Sequence, residues 1–388
     1  MKLIIVFCFF LFLGACQNKP EGYVIKGEFE GAPENEWVFL TDLGQNVYYD
    51  SVQLKGGRFE FKGKMDYPEL RCITYFKNPA QRFYGWNKIM VVPIFVENSI
   101  IRISLPFSEL PSKLQKKVPE NLRIEGSNSH GLYAKYKERV IPFTLRNDSL
   151  FEAYRQAYYY KKGTEDDVFR CVRGMDTIRD RAFAAGVEFI REHRTSPVAL
   201  YVAKNLQVRA YTRERAKQVA ELFPETVKAT SEGQQTIKKL LEQPLYVGDI
   251  LPDFDVLNTD LQTVKLSTLL KKGHYTLVEL WASWCGPCRA DIPHLKEIYQ
   301  HYHEKGFEMV SISIDDDKEA WLKAVKEEGM PWTQAFGANG KSYTKECMKL
   351  FGVSGVPSCV LIDKDGRVLS TNARGGWLSE KLMVLLGK

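Results

Sequence analysis

Four patterns of apolar and polar positions follow one another along the 388-residue chain. The first is an unbroken apolar run from Leu3 to Leu13 behind a single Lys2. It is shorter than the ~20 residues that a membrane-spanning helix needs and suits the apolar core of a secretory signal. The second pattern, over 23–106, consists of short strand-like stretches. Val38-Phe39-Leu40 is a brief apolar run. Between Ser51 and Lys62, Val52 and Leu54 lead to Gly56-Gly57, and Phe59 and Phe61 then alternate with Glu60 and Lys62. This predicts a β-hairpin. Ile101, Ile103 and Leu105 alternate with Arg102 and Ser104, which predicts a half-buried strand.

The third pattern, over 107–244, has helical spacing. Ile178, Ala182, Ala185 and Phe189 mark one face, and Ser196-Pro197 supplies an N-cap and a first-turn proline for a further helix. Tyr154, Tyr158, Tyr159 and Tyr160 form an aromatic cluster, expected to pack between helices, with a ligand-binding face as the lesser alternative. From 245 to 388 strands and helices alternate. Leu277 to Trp281, then Val310, Ile312 and Ile314, then Val360 to Ile362 predict strands. Ile292, Leu295, Ile298, Tyr299 and Tyr302 share one helical face, Trp321, Ala324 and Val325 mark a second helix, and Leu382, Leu385 and Leu386 a last one. Asp365-Gly366 turns the chain into Val368-Leu369. The expected architecture is multidomain: an N-terminal all-β domain, a helical middle region, and a C-terminal α/β domain with a central mixed sheet.

Composition narrows the function. With 44% apolar and 26% charged residues, the chain is neither disordered, nor collagen-like, nor a polytopic membrane protein. The net charge of +6 comes from interspersed Lys/Arg and Asp/Glu with no basic arm, so nucleic acid is not an expected partner. Eight cysteines are too sparse for a disulfide scaffold. One of them, Cys16, closes Leu13-Gly14-Ala15-Cys16. That tetrapeptide resembles a bacterial lipobox, which implies a signal peptide over 1–15, a diacylated Cys16 at the mature N-terminus and a polar tether over 16–22. A conventional cut near Ala15 is the alternative. The acyl chains would anchor the protein in the lipid bilayer. The expected location is a Gram-negative cell envelope, facing the periplasm and attached at the outer membrane, where disulfides persist.

The sharpest chemical signal is Trp281-Ala282-Ser283-Trp284-Cys285-Gly286-Pro287-Cys288. A Cys-X-X-Cys pair by itself serves zinc or redox chemistry. This one follows a predicted strand and opens a predicted helix. Zinc wants four ligands, and the nearby His294 and Cys359 form no second half-site; no metal and no cofactor are expected. A cysteine at a helix N-terminus is favoured as thiolate by free N–H groups and the helix dipole. The thiolate attacks a disulfide, and a second cysteine resolves the mixed disulfide.

The segment from Val278 to Cys288 resembles the active-site region of thioredoxins and of the exported TlpA, ResA and DsbE group. Val247-Gly248-Asp249 with Pro252-Asp253-Phe254 resembles the entry segment of that group, so the likeness covers 245–388. The β-rich stretch over 23–106 resembles a domain of unknown function that precedes such domains in bacterial lipoproteins. The resemblance implies a protein-disulfide reductase with Cys285 as attacking and Cys288 as resolving residue. It would act on protein substrates with cysteine pairs, such as cytochrome c apoproteins, and draw on an upstream thiol electron donor. It further implies Glu279 as a buried acid beneath the motif and Asp291, three residues past Cys288, as an active-site carboxylate. Where thioredoxins pair the buried acid with a lysine, this chain carries Ser311. Gly355-Val356-Pro357 matches the loop whose proline is cis in this fold, and Pro293 falls where the helix kinks. Trp284, Gly286, Pro287, Val356 and Pro357 are the expected substrate-facing residues, with Val356 offering its backbone to an extended segment. Trp281 is expected in the core.

The remaining chemistry-bearing residues have plainer expectations. Cys72, Cys171, Cys347 and Cys359 are expected as buried thiols, with a Cys347–Cys359 disulfide as the alternative; Cys8 leaves with the signal. His301 and His303 do not share a helix face and are expected at the surface. Asp315-Asp316-Asp317 is expected to form a solvated turn. Two other functions stay open. A thiol peroxidase of peroxiredoxin type would want Thr and Pro where Ala282 and Val278 stand. The other is a partner-binding lipoprotein with an auxiliary redox domain.

Overall fold

The computed structural model describes residues 21–76, 89–113, 115, 117–206, 211–337 and 347–387. The expected signal peptide over 1–15, Cys16 and most of the expected tether over 16–22 lie outside the described residues. Among those described, no helix is long and apolar enough to cross a membrane. The chain divides into two compact units, 1–135 and 136–388.

The first unit holds β1 (Tyr23–Glu30), β2 (Trp37–Thr41), β3 (Tyr48–Gln53), β4 (Arg58–Gly63), β5 (Glu69–Phe76), β6 (Ile89–Val96), β7 (Ile100–Pro106) and β8 (Arg123–Glu125). They form two four-stranded sheets, ordered β4-β1-β7-β8 and β3-β2-β5-β6. One core serves both: Ile25, Phe61 and Ile101 from the first sheet and Val38, Leu40 and Val92 from the second are buried in a single cluster. The strand expected at Ile101 to Leu105 is β7, with Arg102 and Ser104 exposed. The hairpin expected over Ser51 to Lys62 is not one. Lys55 and Arg58 exchange backbone hydrogen bonds of 3.1 Å around Gly56-Gly57, but β3 pairs with β2 while β4 pairs with β1. The turn hands the chain from one sheet to the other, because Leu54 before it and Phe59 and Phe61 after it are buried in that common core. Gly57 is required there: it sits at φ 74°, and a Cβ would come 2.5 Å from the Phe29 carbonyl oxygen. The β-structure also runs beyond the expected limit at 106, since β8 pairs with β7 through Ile103 and Ile124.

The helical segment comprises α1 (Asn128–Tyr158), within which the division between units falls, α2 (Glu165–Glu192), α3 (Pro197–Asn205), α4 (Arg213–Glu221), α5 (Glu225–Lys228) and α6 (Ser231–Leu241). Thr164 and Asp167 form a reciprocal capping box on α2, and Ser196 caps α3 ahead of Pro197 as expected. The buried stripe of α2 runs through Val168, Val172, Met175, Phe183, Gly186 and Ile190. Of the expected face Phe189 is buried, while Ile178, Ala182 and Ala185 lie on the half-buried flank, so that part of the face is displaced around the helix. Two of the four tyrosines pack between helices as expected. Tyr154 packs on Trp377 with ring centroids 5.1 Å apart, and Tyr158 meets His294 edge to face at 5.3 Å. They seal the helical segment onto the α/β layer, while Tyr159 and Tyr160 are exposed.

The α/β layer consists of β9 (Asp255–Leu257), β10 (Thr263–Lys265), α7 (Leu266–Leu269), β11 (Tyr275–Trp281), α8 (Gly286–Tyr302), β12 (Phe307–Ser313), α9 (Lys318–Glu328), β13 (Thr333–Gly337), β14 (Ser358–Ile362), β15 (Val368–Ser370) and α10 (Gly376–Leu386). The sheet order is β10-β9-β13-β12-β11-β14-β15. It is mixed: β11, β12 and β13 are parallel, and β14 returns antiparallel to β11. Every residue of β12 is buried, which is the signature of a central strand covered on both faces. Cys72, Cys171, Cys347 and Cys359 are all buried and not disulfide-linked, so the Cys347–Cys359 bridge is not formed.

Candidate active site

Strand β11 delivers the motif to the edge of the sheet. The Trp281 carbonyl accepts from Ile314 N–H at 2.8 Å, and Ala282 carbonyl accepts from Cys285 N–H at 3.0 Å. The intervening Ser283 is pinned from the side: its N–H and its hydroxyl both donate to Asp315, at 2.8 and 2.6 Å. Ser313 donates to the same carboxylate at 2.6 Å. Asp315 is therefore a buried anchor, 3% exposed, so of the solvated turn expected for Asp315-Asp316-Asp317 only Asp316 and Asp317 are exposed. Three donors satisfy the carboxylate, which is how a buried charge is tolerated. Asp317 does separate work, capping α9 through the N–H groups of Glu319 and Ala320.

Cys285 is the N-cap of α8, and its sulfur accepts from Cys288 N–H at 3.2 Å. The two residues form a disulfide with their Cα atoms 5.3 Å apart. Cys288 has no exposure, whereas Cys285 retains 3%. Around this edge Trp284, Gly286 and Pro287 are exposed and Val356 and Pro357 half-buried. Trp284 stands 67% exposed while Trp281 is in the core. Pro293 lies inside α8. The Val356–Pro357 bond is cis and leads directly into β14.

Below the motif, Glu279 on β11 lies between Ser311 of β12 and Cys359 of β14 in the strand register. It is 2% exposed. Ser311 Oγ donates to its carboxylate at 2.8 Å and accepts from Trp332 Nε1 at 2.8 Å. Burial pushes the Glu279 carboxyl up to about 7; the Ser311 hydrogen bond opposes this, Asp291 adds to it, and Arg374 opposes it. The Cys359 thiol is pushed well up, first by burial and then by Glu279.

Asp291 is not the exposed helix charge that its position on α8 allows. Its carboxylate accepts from Arg374 Nε at 2.7 Å and also from Arg374 Nη2, with side-chain exposures of 20% for Asp291 and 32% for Arg374. Sequence reasoning missed Arg374, which stands 83 residues from its partner in an unremarkable Asn-Ala-Arg-Gly stretch. It also missed the Asp315 anchor and the Trp332 link to Ser311. His294 shares a hydrogen bond with Ser379 Oγ at 3.2 Å, and burial pulls its imidazole down. Cys359 and His294 do not come together with the motif as a metal site; no cluster of three or more potential ligands occurs among the described residues. His303 stacks on Tyr299, and His301 lies beside Lys305.

Residues 246–375 match the Redoxin family, and residues 23–133 match a domain of unknown function, DUF4369. The thiol-disulfide oxidoreductase ResA of Bacillus thuringiensis subsp. konkukian is 32% identical over 147 residues, which are 38% of this chain and 80% of the relative. A probable nucleoredoxin 1 of Arabidopsis thaliana is 36% identical over 127 residues, 32% of this chain and 20% of the relative. Among solved structures, the thioredoxin domain of a thiol-disulfide oxidoreductase from Bacteroides vulgatus covers 37% of this chain and 99% of its own, at 27% identity and a TM-score of 0.34.

Proposed function

The chain belongs to the ResA-type thiol-disulfide oxidoreductases of the thioredoxin-like family, and on that footing we propose that it reduces disulfides of cell-envelope proteins through Cys285 and Cys288. The observation that carries this reading is the helix start: Cys285 caps α8 and receives the Cys288 N–H on its sulfur. Partial positive charge at that terminus stabilises a thiolate over a thiol.

In the reduced enzyme the Cys285 thiolate attacks a substrate disulfide. The substrate S–S bond breaks, a mixed disulfide forms on Cys285, and one substrate thiolate leaves and takes up a proton. Cys288 then gives its proton to Glu279 and attacks the Cys285 sulfur. The second substrate thiolate leaves, the substrate has gained two electrons, and the enzyme holds the Cys285–Cys288 disulfide. An upstream dithiol returns the pair to the reduced state. Trp284, Gly286, Pro287, Val356 and Pro357 form the surface that receives the substrate segment, with the backbone of Val356 pairing to it as a short added strand.

The same proposal places the protein in the periplasm of a Gram-negative envelope, held at the outer membrane by acyl chains on Cys16, and includes cytochrome c apoproteins among its substrates. Leu13-Gly14-Ala15-Cys16 behind a short apolar run supports the anchor. The reaction is tested by insulin reduction together with the redox potential of the pair. Turnover with a potential near that of thioredoxin, about −270 mV, is expected; a value near −120 mV, typical of a strong oxidant, overturns the reductant assignment.

A further inference from the structure

Two carboxylates, Glu279 and Asp291, are the candidates to receive the Cys288 proton, and their surroundings differ. Asp291 faces Arg374. Glu279 faces Ser311 from β12 and Cys359 from β14, with the Asp291–Arg374 pair acting on it from α8 and from the segment before α10. Among the described residues, the hydrogen-bond partner of the Glu279 carboxylate is Ser311, and no ion pair joins it to a cation.

Arg374 is held on both sides. Ala373 N–H donates to the Cys359 carbonyl at 3.3 Å, and Gly376 N–H donates to the Tyr154 hydroxyl at 3.2 Å. One contact ties the segment to the strand that follows the cis-proline, and the other ties it to the end of α1. The guanidinium therefore has a fixed origin. Tyr154 and Tyr158 also lie within electrostatic range of the Asp291–Arg374 pair, as do Tyr159 for Arg374 and His294 for Asp291.

We infer that Arg374 is a positioning residue of the exchange: it holds Asp291 in an ion pair on the active-site helix and leaves Glu279 to take the proton from Cys288. The inference rests on the redox reading of the two cysteines. In it the helical segment has a part in the reaction, because Tyr154 supports the segment from which Arg374 reaches α8. Removing the Arg374 charge exposes Glu279 to an uncompensated Asp291; removing the Asp291 charge exposes it to an uncompensated Arg374. The two changes act on Glu279 with opposite sign.

Stopped-flow reaction of the reduced full-length protein with Ellman's reagent separates the steps. One thionitrobenzoate is released as Cys285 attacks, and a second as Cys288 loses its proton and closes the disulfide. The readout is the pH at which the second release reaches half its maximal rate. Arg374→Gln is expected to raise this midpoint by about one pH unit and Asp291→Asn to lower it, with Arg374→Lys and the double variant Asp291→Asn/Arg374→Gln close to wild type. A purely structural role moves both single variants in the same direction or neither, and either result overturns the inference. If Arg374→Gln does not fold, Asp291→Asn decides: a lower midpoint supports the inference and any other result ends it. Absence of a second release in the wild type is a different failure, that of the redox reading itself.

Discussion

Ser311 donates its hydroxyl proton to Glu279 at 2.8 Å while accepting the indole N–H of Trp332 at the same distance. One small side chain thus satisfies two buried polar groups, on neighbouring elements of the sheet core. Ser311→Ala strands both. The expected cost is about 2 kcal/mol, since an unsatisfied buried polar group loses its full desolvation penalty, and the Glu279 carboxyl moves further up because a stabilising hydrogen bond to its charged form is gone. Urea unfolding at pH 7 measures the first effect; an unchanged midpoint would refute it.

Glu279 also sets a pH dependence of stability. Its carboxyl lies at about 7 in the folded protein against an ordinary 4.5. Below the ordinary value both states are protonated and the group costs nothing. As pH rises from there through the folded value, the unfolded chain ionises first and stability falls, by about 3 kcal/mol in all at about 1.4 kcal/mol per pH unit. Glu279→Gln removes this dependence. The difference in unfolding free energy between variant and wild type should grow from pH 4.5 to pH 7 in favour of the variant, and a constant difference across that range would contradict it.

Asp315 predicts a stability effect at the motif itself. Asp315→Ala leaves the Ser283 N–H, the Ser283 hydroxyl and the Ser313 hydroxyl without their acceptor. Hydrogen bonds to a charged group contribute about 1.5–3 kcal/mol each. A loss of about 3 kcal/mol is expected after local relaxation, together with slower insulin reduction because the turn that aims Cys285 loosens. Thermal unfolding and turnover check the two halves separately.

The two cysteines should fail in different ways. Cys285→Ala removes the attacking sulfur and should abolish turnover, at least 1,000-fold by the usual order for a lost nucleophile. Cys288→Ala keeps the attack and loses the resolution, so mixed disulfides should accumulate on Cys285. Non-reducing gels followed by mass spectrometry would show them, and an adduct-free Cys288→Ala protein would contradict the order of events.

Much of the α/β layer was legible from local pattern. Leu277 to Trp281, the face from Ile292 to Tyr302 and the Asp365-Gly366 turn each carry their signal within a few residues. The cysteines were legible for the same reason, a strand-turn-helix context written in consecutive residues. What escaped depends on pairing at a distance. Phe59 and Phe61 alternate like a hairpin arm, and nothing local says that β4 joins a different sheet from β3. Asp315 belongs to a polar triplet, and only the approach of Ser283 turns one member into a buried anchor. Arg374 carries no signal at all until α10 is docked beside α8. The stripe on α2 was displaced because Ile178, Ala182 and Ala185 satisfy helical spacing as well as the truly buried set does. The tyrosines of α1 signalled packing but not against which partner.

The four sealed thiols give the molecule an internal clock. Cys72 lies on β5, between β2 and β6, and burial pushes it up to about 12; Cys171, Cys347 and Cys359 lie in the other unit. None should react with an alkylating agent until its surroundings open. Rates of modification at Cys72 and Cys359, followed by peptide mapping in rising denaturant, would therefore time the β-sandwich and the α/β layer independently within one unmodified chain.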